Sequence, residues 1–170
     1  MIDPRTLLER AKALQADIAA QVGPPEEGLK PSTQKVILTS IVRNTRGYIE
    51  SVSNQINGAY EMGWYDACAV MIRRLLETLI IECFEKFGLA TKIQNANGDF
   101  YYLKDLIDKC LTEAAWNLSR NCKKAMPKLK DVGDKSAHSR RFNAHRGDID
   151  PLLHDIRTVV QELIYLAALK

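Results

Sequence analysis

Apolar residues recur along most of this chain at intervals of three and four residues, which is the period of one face of a helix. The first such stretch follows Asp3-Pro4 and the last follows Asp150-Pro151, and an Asp-Pro pair is typical of a helix start. The pattern predicts a first helix from residue 4 to about 22. It predicts further helices over 45–62, 64–87, 103–116 and 151–167.

The helix predicted over 64–87 is apolar at nearly every position outside a narrow polar stripe, so it must be covered on most sides. This favours a place at the centre of a helical bundle. Within the stripe, Arg73 and Glu77 stand one turn apart and can pair along the helix. A second interpretation has Arg73, Arg74 and Glu77 supporting a functional site on a neighbouring element, and both interpretations stay open.

The segments between these helices complete the predicted architecture. Pro24-Pro25 marks a linker, so residues 1–31 are predicted to be an N-terminal helix with its linker and 32–170 a bundle. The β-branched run 36–42 fits either an extended segment or a helical turn. Asn97-Gly98, between 92–94 and 100–102, favours a small β-hairpin. The predicted fold is all-α, an up-and-down helical bundle with an N-terminal helical arm and one small β-hairpin.

Composition narrows the class of protein. The chain is 46% apolar and 26% charged, which is typical of a globular domain. It contains no signal-peptide pattern and no apolar run long enough to span a bilayer, so we expect a cytoplasmic protein without membrane contact. The cysteines, Cys68, Cys83, Cys110 and Cys122, lack CxxC spacing. They are predicted to be buried, reduced thiols, and neither a metal site nor a cofactor is expected.

Positive charge is concentrated between Arg120 and Arg146. This segment has nine basic residues and two acidic ones, a net charge of +7, whereas the whole chain carries only +3. Such a local excess is typical of an anion-binding surface, although a solvated helix surface would also produce it. Ser119 is predicted to cap a short helix ending near Ala125, and Pro127 to open a new turn. The stretch Lys128–Arg146 is then a basic loop with a turn at Gly133-Asp134.

The basic residues supply candidates for two kinds of site. Asp134 can orient the His138 imidazole one helical turn away, and a histidine beside fixed cations can accept a ribose 2′-hydroxyl proton. A purely structural role for His138 is the alternative. The candidate catalytic residues are His138, Asp134, Arg140 and His145. The candidate nucleic-acid-binding residues are Arg120, Lys123, Lys124, Lys128, Lys130, Lys135, Arg141 and Arg146.

The order of three motifs resembles the HEPN superfamily of helical domains. They are the helix around Arg73-Arg74-Leu75-Leu76-Glu77, the sequence Gly133-Asp134-Lys135-Ser136-Ala137-His138, and an amphipathic last helix, and together they cover residues 45–168. The second motif is similar to a Gly-Asn-x-x-Ala-His turn of an uncharacterised bacterial branch. The resemblance implies a four- or five-helix bundle, a homodimer that brings the basic loops together, and a link to RNA or to prokaryotic defence and toxin systems.

The chain departs from the pattern of active HEPN ribonucleases, which carry an Arg and then a polar residue four to six positions before a His. No Arg lies at that distance before His138, and Arg140 with His145 fits the spacing but has Arg141 in the second position. The expected function is therefore an RNA- or nucleotide-binding module of a regulatory or defence system, with a possible protein partner. The alternatives are a metal-independent endoribonuclease and a structural dimerisation domain.

Overall fold

A computed structural model describes the backbone of residues 3–21 and 35–170 and the side chains of 3–17 and 35–170. The chain divides into two compact units, Met1–Pro31 and Ser32–Lys170. In the first unit, helix α1 covers Pro4–Gln21, and the Asp3 carboxylate accepts the Arg5 N–H at 3.3 Å. The Asp-Pro helix start is thus confirmed. The linker predicted around Pro24-Pro25 lies outside the described residues.

The second unit is built from helices, as predicted. The chain forms two 3₁₀ turns, Ala90–Ile93 and Asp150–Leu152, within the part that the structure describes. The helices are α2 Thr39–Val42, α3 Gly47–Glu61, α4 Tyr65–Lys86, α5 Leu103–Thr112, α6 Arg120–His138, α7 Arg146–Ile149 and α8 Leu153–Leu166.

Helix α4 lies at the centre of this unit and contacts α3, α5, α6 and α8. Leu75, Leu79, Ile80 and Phe84 are fully buried on it, which confirms the prediction of a helix covered on most sides. Helices α6 and α8 run antiparallel, because Ser119 at the start of α6 contacts Glu162 and Lys128 further along contacts Asp155. The all-α bundle is confirmed.

The segment before α3 is partly extended and partly helical. Val36 and Ile37 are buried in non-helical backbone, and α2 begins two residues later at Thr39. Both main-chain groups of Ile37 bond to the Asn57 side chain: the Ile37 N–H donates to Oδ1 and the Ile37 carbonyl accepts from Nδ2, each at 2.9 Å. Asn57 therefore provides this buried segment with the partners that a neighbouring strand or helix would otherwise provide.

The hairpin predicted around Asn97-Gly98 does not form as strands. A tight turn is present, with Gly98 at φ +87° and the Asn95 N–H bonded to the Asp99 carbonyl at 2.8 Å. Beyond it, one isolated antiparallel bridge pairs Gln94 with Phe100, and 35–170 contains no β-strand. The turn chemistry was predicted correctly. An isolated pair of strands is only marginally stable in water. The second predicted strand is also short, because α5 begins at Leu103.

The prediction of a basic loop over Lys128–Arg146 is wrong for the first half of that stretch, because α6 continues from Arg120 to His138. Ser119 caps it as predicted, with Oγ accepting the Cys122 N–H at 3.1 Å. Pro127 lies inside this helix instead of opening a new turn. The apolar face stays in register across Pro127 and is buried both before and after it, which compensates the roughly 3 kcal/mol that an interior proline costs. The buried residues are Cys122, Ala125, Met126, Leu129, Val132 and Gly133.

The cysteines are free and buried, as predicted. Burial raises the pKa of Cys68, Cys110 and Cys122 to about 12 and raises the pKa of Cys83 as well, so these thiols are protonated and unreactive. No helix among the described residues is long and apolar enough to cross a bilayer.

Candidate nucleic-acid interface

The solvent-facing side of α6 carries a row of basic residues. They recur at three-, four- and seven-residue spacing, so they share one face of a helix that is 19 residues, or about 28 Å, long. Asp131 is the acidic residue within this row, and Lys128 is held by Asp155 of α8 at 2.8 Å. The exposed residues of the row, which we call the α6 basic face, are Arg120, Lys124, Lys128, Asp131, Lys135 and His138.

Three other predicted RNA-binding residues form contacts inside the protein. Lys130 Nζ lies 2.6 Å from Asp134 Oδ2, and Arg146 Nε lies 3.1 Å from Asp150 Oδ2. Lys123 donates to the Asn117 side chain at 3.2 Å. Among the described residues, Arg120, Lys124, Lys135, Arg140 and Arg141 are exposed and form no ion pair with a carboxylate. These five cations are available to an anionic ligand.

Asp134 joins α6 to α4 instead of acting on His138. Its Oδ1 accepts from Arg73 Nε at 2.7 Å and its Oδ2 accepts from Lys130 Nζ at 2.6 Å. Arg73 Nη1 also reaches Glu77 Oε2 at 3.5 Å. Arg73 and Glu77 therefore support α6 from α4, and the pairing predicted along α4 coexists with that support. Within the described part of the chain Asp134 bonds to these two cations and forms no hydrogen bond to His138, so the predicted orientation of His138 by Asp134 is not seen.

Gly133 permits this close contact between the two helices. A Cβ atom added at Gly133 would lie 2.6 Å from Arg73 Cβ and 3.0 Å from the Ala69 carbonyl oxygen. Gly133 belongs to α6, so Gly133-Asp134 is not the predicted turn. The glycine is needed for the close approach of α4, and that approach places the Asp134 carboxylate beside Arg73.

The charge of Asp134 is stabilised by its partners. Partial burial by itself would raise the pKa of this carboxyl, but the hydrogen bonds and charges of Lys130 and Arg73 outweigh burial and lower the pKa. A carboxyl with a lowered pKa in the folded state stabilises the fold above its unfolded pKa. That contribution is lost as the pH falls through the folded pKa.

We expect Asp134→Asn to lower the free energy of unfolding by about 1–2 kcal/mol at pH 7, since it removes a charged acceptor from two partly buried cations. The difference from the unchanged protein should shrink as the pH falls through the lowered pKa of Asp134 in the folded state. Urea unfolding at pH 7 and over a descending series of acidic pH values measures this. Asp131→Asn is the matched control, because the Asp131 side chain is 67% exposed and should contribute under about 0.5 kcal/mol. Equal effects of the two variants would contradict the assignment.

The second half of the basic loop is an irregular segment, 139–145, that is attached to α4. The Ala144 N–H donates to Asp66 Oδ1 at 3.0 Å. His145 then begins α7 with a capping box, in which its side chain accepts from the Asp148 backbone and its own N–H donates to Asp148 Oδ2 at 2.9 Å. The imidazole of His145 thus has a structural role as a helix cap.

A third contact fixes the same end of the bundle. The hydroxyl of fully buried Tyr60, on α3, donates to Asp150 Oδ1, and Arg146 lies over the Tyr60 ring with Cζ 6.0 Å from its centroid. Burial raises the pKa of Tyr60, and the Asp150 hydrogen bond raises it further. Tyr60 therefore remains a protonated donor that positions the start of α8.

The predicted site residues separate into two groups. Arg73, Glu77, Lys130 and Asp134 come together in one ion-pair cluster between α4 and α6, and the neighbouring Arg74 is exposed. His138, Arg140 and Arg141 lie on the exposed end of α6 and the segment that follows it. Tyr60 and Asp66 anchor this segment but were not predicted from the sequence, since each matches the ordinary helical pattern. Asp66 lies in the first turn of α4, where the helix dipole favours a carboxylate.

The described residues contain no group of three or more His, Cys, Asp or Glu side chains placed to hold a metal ion. Comparison with protein-family models, with curated proteins and with solved structures found no match. The resemblance to HEPN domains therefore depends on the sequence motifs alone.

Proposed function

We propose that this chain is a HEPN-like module that binds RNA through the α6 basic face and the two arginines that follow it. The observation that carries the proposal is the row of exposed cations on one rigid helix, with Arg140 and Arg141 continuing it. Lys124 and Lys135 stand about 16 Å apart along the axis, far enough to contact separate phosphates. Phosphate contacts of this kind bind the nucleic-acid backbone and carry no base specificity.

The internal ion pairs support the same proposal. Asp134, Asp150 and Asp155 neutralise Lys130, Arg146 and Lys128 within the protein. The cations that lack such partners lie on the solvent side of α6 and at its C-terminal end. The rigid attachment of α6 to α4 through Gly133 and Asp134 keeps these charges at constant spacing.

Endoribonuclease activity is the alternative, and two contacts weigh against it. Asp134 bonds to Arg73 and Lys130, and the His145 ring accepts a backbone N–H, which removes one nitrogen from use as a general base. The resemblance to HEPN domains adds a homodimer to the proposal, and sedimentation of the purified protein measures it. A protein partner from a defence or toxin system is part of the same proposal.

The test is binding of the purified chain to single-stranded and tRNA-like RNA, with EDTA present, at several salt concentrations. We expect salt-sensitive binding, and we expect Lys124→Glu with Lys135→Glu to weaken it at least tenfold. The slope of log K against log salt should become shallower by about 1.4, because each lost phosphate contact on a single strand removes roughly 0.7. The matched control is Lys86→Glu with Lys104→Glu, which makes the same charge change on exposed positions of α4 and α5.

Absent or salt-independent binding would refute the proposal, and so would an equal loss in both double variants. Cleavage is scored in the same reactions. RNA cutting in EDTA that disappears in a His138→Ala, His145→Ala variant would make the protein a metal-independent endoribonuclease. If the protein neither binds nor cleaves RNA, the alternative of a structural dimerisation domain is favoured.

A further inference from the structure

Trp64 is an exposed aromatic residue outside the α6 basic face. Its side chain is 64% exposed. The second tryptophan of the chain, Trp116, packs against Phe84 and Phe87 with ring centroids 4.9 and 5.1 Å away. Its Nε1–H also donates to the Cys110 carbonyl at 3.1 Å. Single exposed apolar side chains are common on protein surfaces, so the fixed position of Trp64 and its surroundings, and not its exposure alone, decide what it can bind.

The backbone holds Trp64 in a defined place. Gly63, with φ +78°, reverses the chain after α3, and the Trp64 N–H donates to the Ala59 carbonyl at 2.8 Å. This is the bonding pattern of a Schellman motif. On the other side, the Trp64 carbonyl accepts the Cys68 N–H at 2.9 Å as the first bond of α4. The indole therefore projects from a fixed main chain, and little backbone entropy is lost when it binds a ligand.

Trp64 lies at the end of the bundle where the free arginines are. Helices α4 and α6 run antiparallel, because Trp116, just before α6, packs on Phe84 and Phe87 at the end of α4, whereas Gly133 packs on Ala69 and Arg73 nearer its start. Beyond α6, the Ala144 N–H bonds to Asp66. Asp66 is two residues from Trp64. Arg141 precedes Ala144 by three residues, a span of at most about 11 Å.

We propose that Trp64 is a stacking surface for an unpaired base of the RNA whose phosphates contact Arg140, Arg141 and the α6 basic face. An indole stacks on the flat face of any base, and cations beside it hold the backbone, which is the arrangement that favours single-stranded nucleic acid. A base inside a duplex is stacked on its neighbours and offers no free face. The proposal rests on the proposed function and specifies its ligand as RNA with unpaired nucleotides.

Tryptophan fluorescence tests the contact directly. Titration with a 12-nucleotide single-stranded RNA should quench the emission of the protein, because a stacked base quenches an indole. The same titration of Trp64→Phe, whose remaining tryptophan is the packed Trp116, should show no quenching. A blunt duplex of the same sequence should bind without quenching either protein. Saturated single-strand binding that leaves the emission of the unchanged protein constant would overturn the inference.

Affinity provides the second measurement. Trp64→Ala should weaken binding of the single strand roughly 5- to 150-fold and leave duplex binding unchanged. Tyr102→Ala is the matched control, since Tyr102 is an exposed aromatic residue (84%) on a different element, at the start of α5. It should change neither affinity. If Trp64→Ala weakens binding of the single strand and of the duplex equally, base stacking on Trp64 is refuted and the proposed cationic interface is not. If the unchanged protein binds no RNA, both proposals are refuted.

Discussion

Asn57→Ala should lower the free energy of unfolding by about 2–4 kcal/mol. The Asn57 amide is the hydrogen-bond partner of both main-chain groups of Ile37, which is fully buried. Alanine would leave a buried N–H and a buried carbonyl unsatisfied, and each costs about 1–3 kcal/mol. Urea unfolding measures the total. Hydrogen exchange of the Ile37 amide reports the local effect, because its protection depends on Asn57 Oδ1.

Asn54→Ala is the control for this prediction, because Asn54 is exposed on the same helix. It should change stability by less than about 0.5 kcal/mol. Asn57→Asp should keep one of the two hydrogen bonds to Ile37, since its carboxylate accepts the Ile37 N–H but cannot donate to the Ile37 carbonyl. A loss of similar size in Asn54→Ala, or unchanged exchange at the Ile37 amide in Asn57→Ala, would show that the Asn57 side chain does not hold the buried segment at Ile37.

Gly133→Ala is expected to lower the free energy of unfolding by about 2 kcal/mol. The new methyl group would stand 2.6 Å from Arg73 Cβ and 3.0 Å from a main-chain oxygen, neither of which is the movable end of a side chain. Overpacking of this kind costs about 1–3 kcal/mol, and separation of the helices would also loosen the Arg73–Asp134 ion pair. The intrinsic preference of alanine for helix, about 1 kcal/mol, offsets only part of this cost.

Gly58→Ala makes the same change in α3, where nothing lies within 4 Å of the added Cβ. It should raise stability by about 0.5–1 kcal/mol, so the two substitutions should have opposite signs. Thermal unfolding separates them, with a fall of about 4–8 °C expected for Gly133→Ala. A stabilised Gly133→Ala protein would mean that α4 and α6 can separate at this point without loss.

The two proposals place separate demands on the bundle. Binding through α6 requires that its cations remain at constant spacing, and Gly133→Ala disturbs the helix pair that maintains this spacing. Binding through Trp64 requires only the Gly63 reversal and the start of α4. A folded Gly133→Ala protein that binds RNA less well but still shows Trp64 quenching would therefore separate the contributions of the two surfaces.

Residue types and their spacing were enough to predict the local features of this protein. Helical periodicity located α1, α3, α4, α5 and α8, Asp3-Pro4 and Ser119 marked helix starts, and the spacing of the cysteines predicted free buried thiols. The excess of positive charge from Arg120 onward could also be read from the sequence, because the net charge of a segment does not depend on the fold. These features follow from residue type and from neighbours within one or two helical turns.

Which of those residues are available to a ligand depends on how the helices pack against one another. Pro127 and Gly133 both carry a local preference for a turn, yet burial of one continuous apolar face keeps them inside α6. Lys128 is neutralised by Asp155, 27 residues away, and Asp134 by Arg73, 61 residues away. Packing between distant segments sets these pairings, and it also sets Asp66 against Ala144 and so places Trp64 near the arginines. The spacing of apolar residues along the chain does not predict such contacts, because their free energy arises only when distant helices pack together.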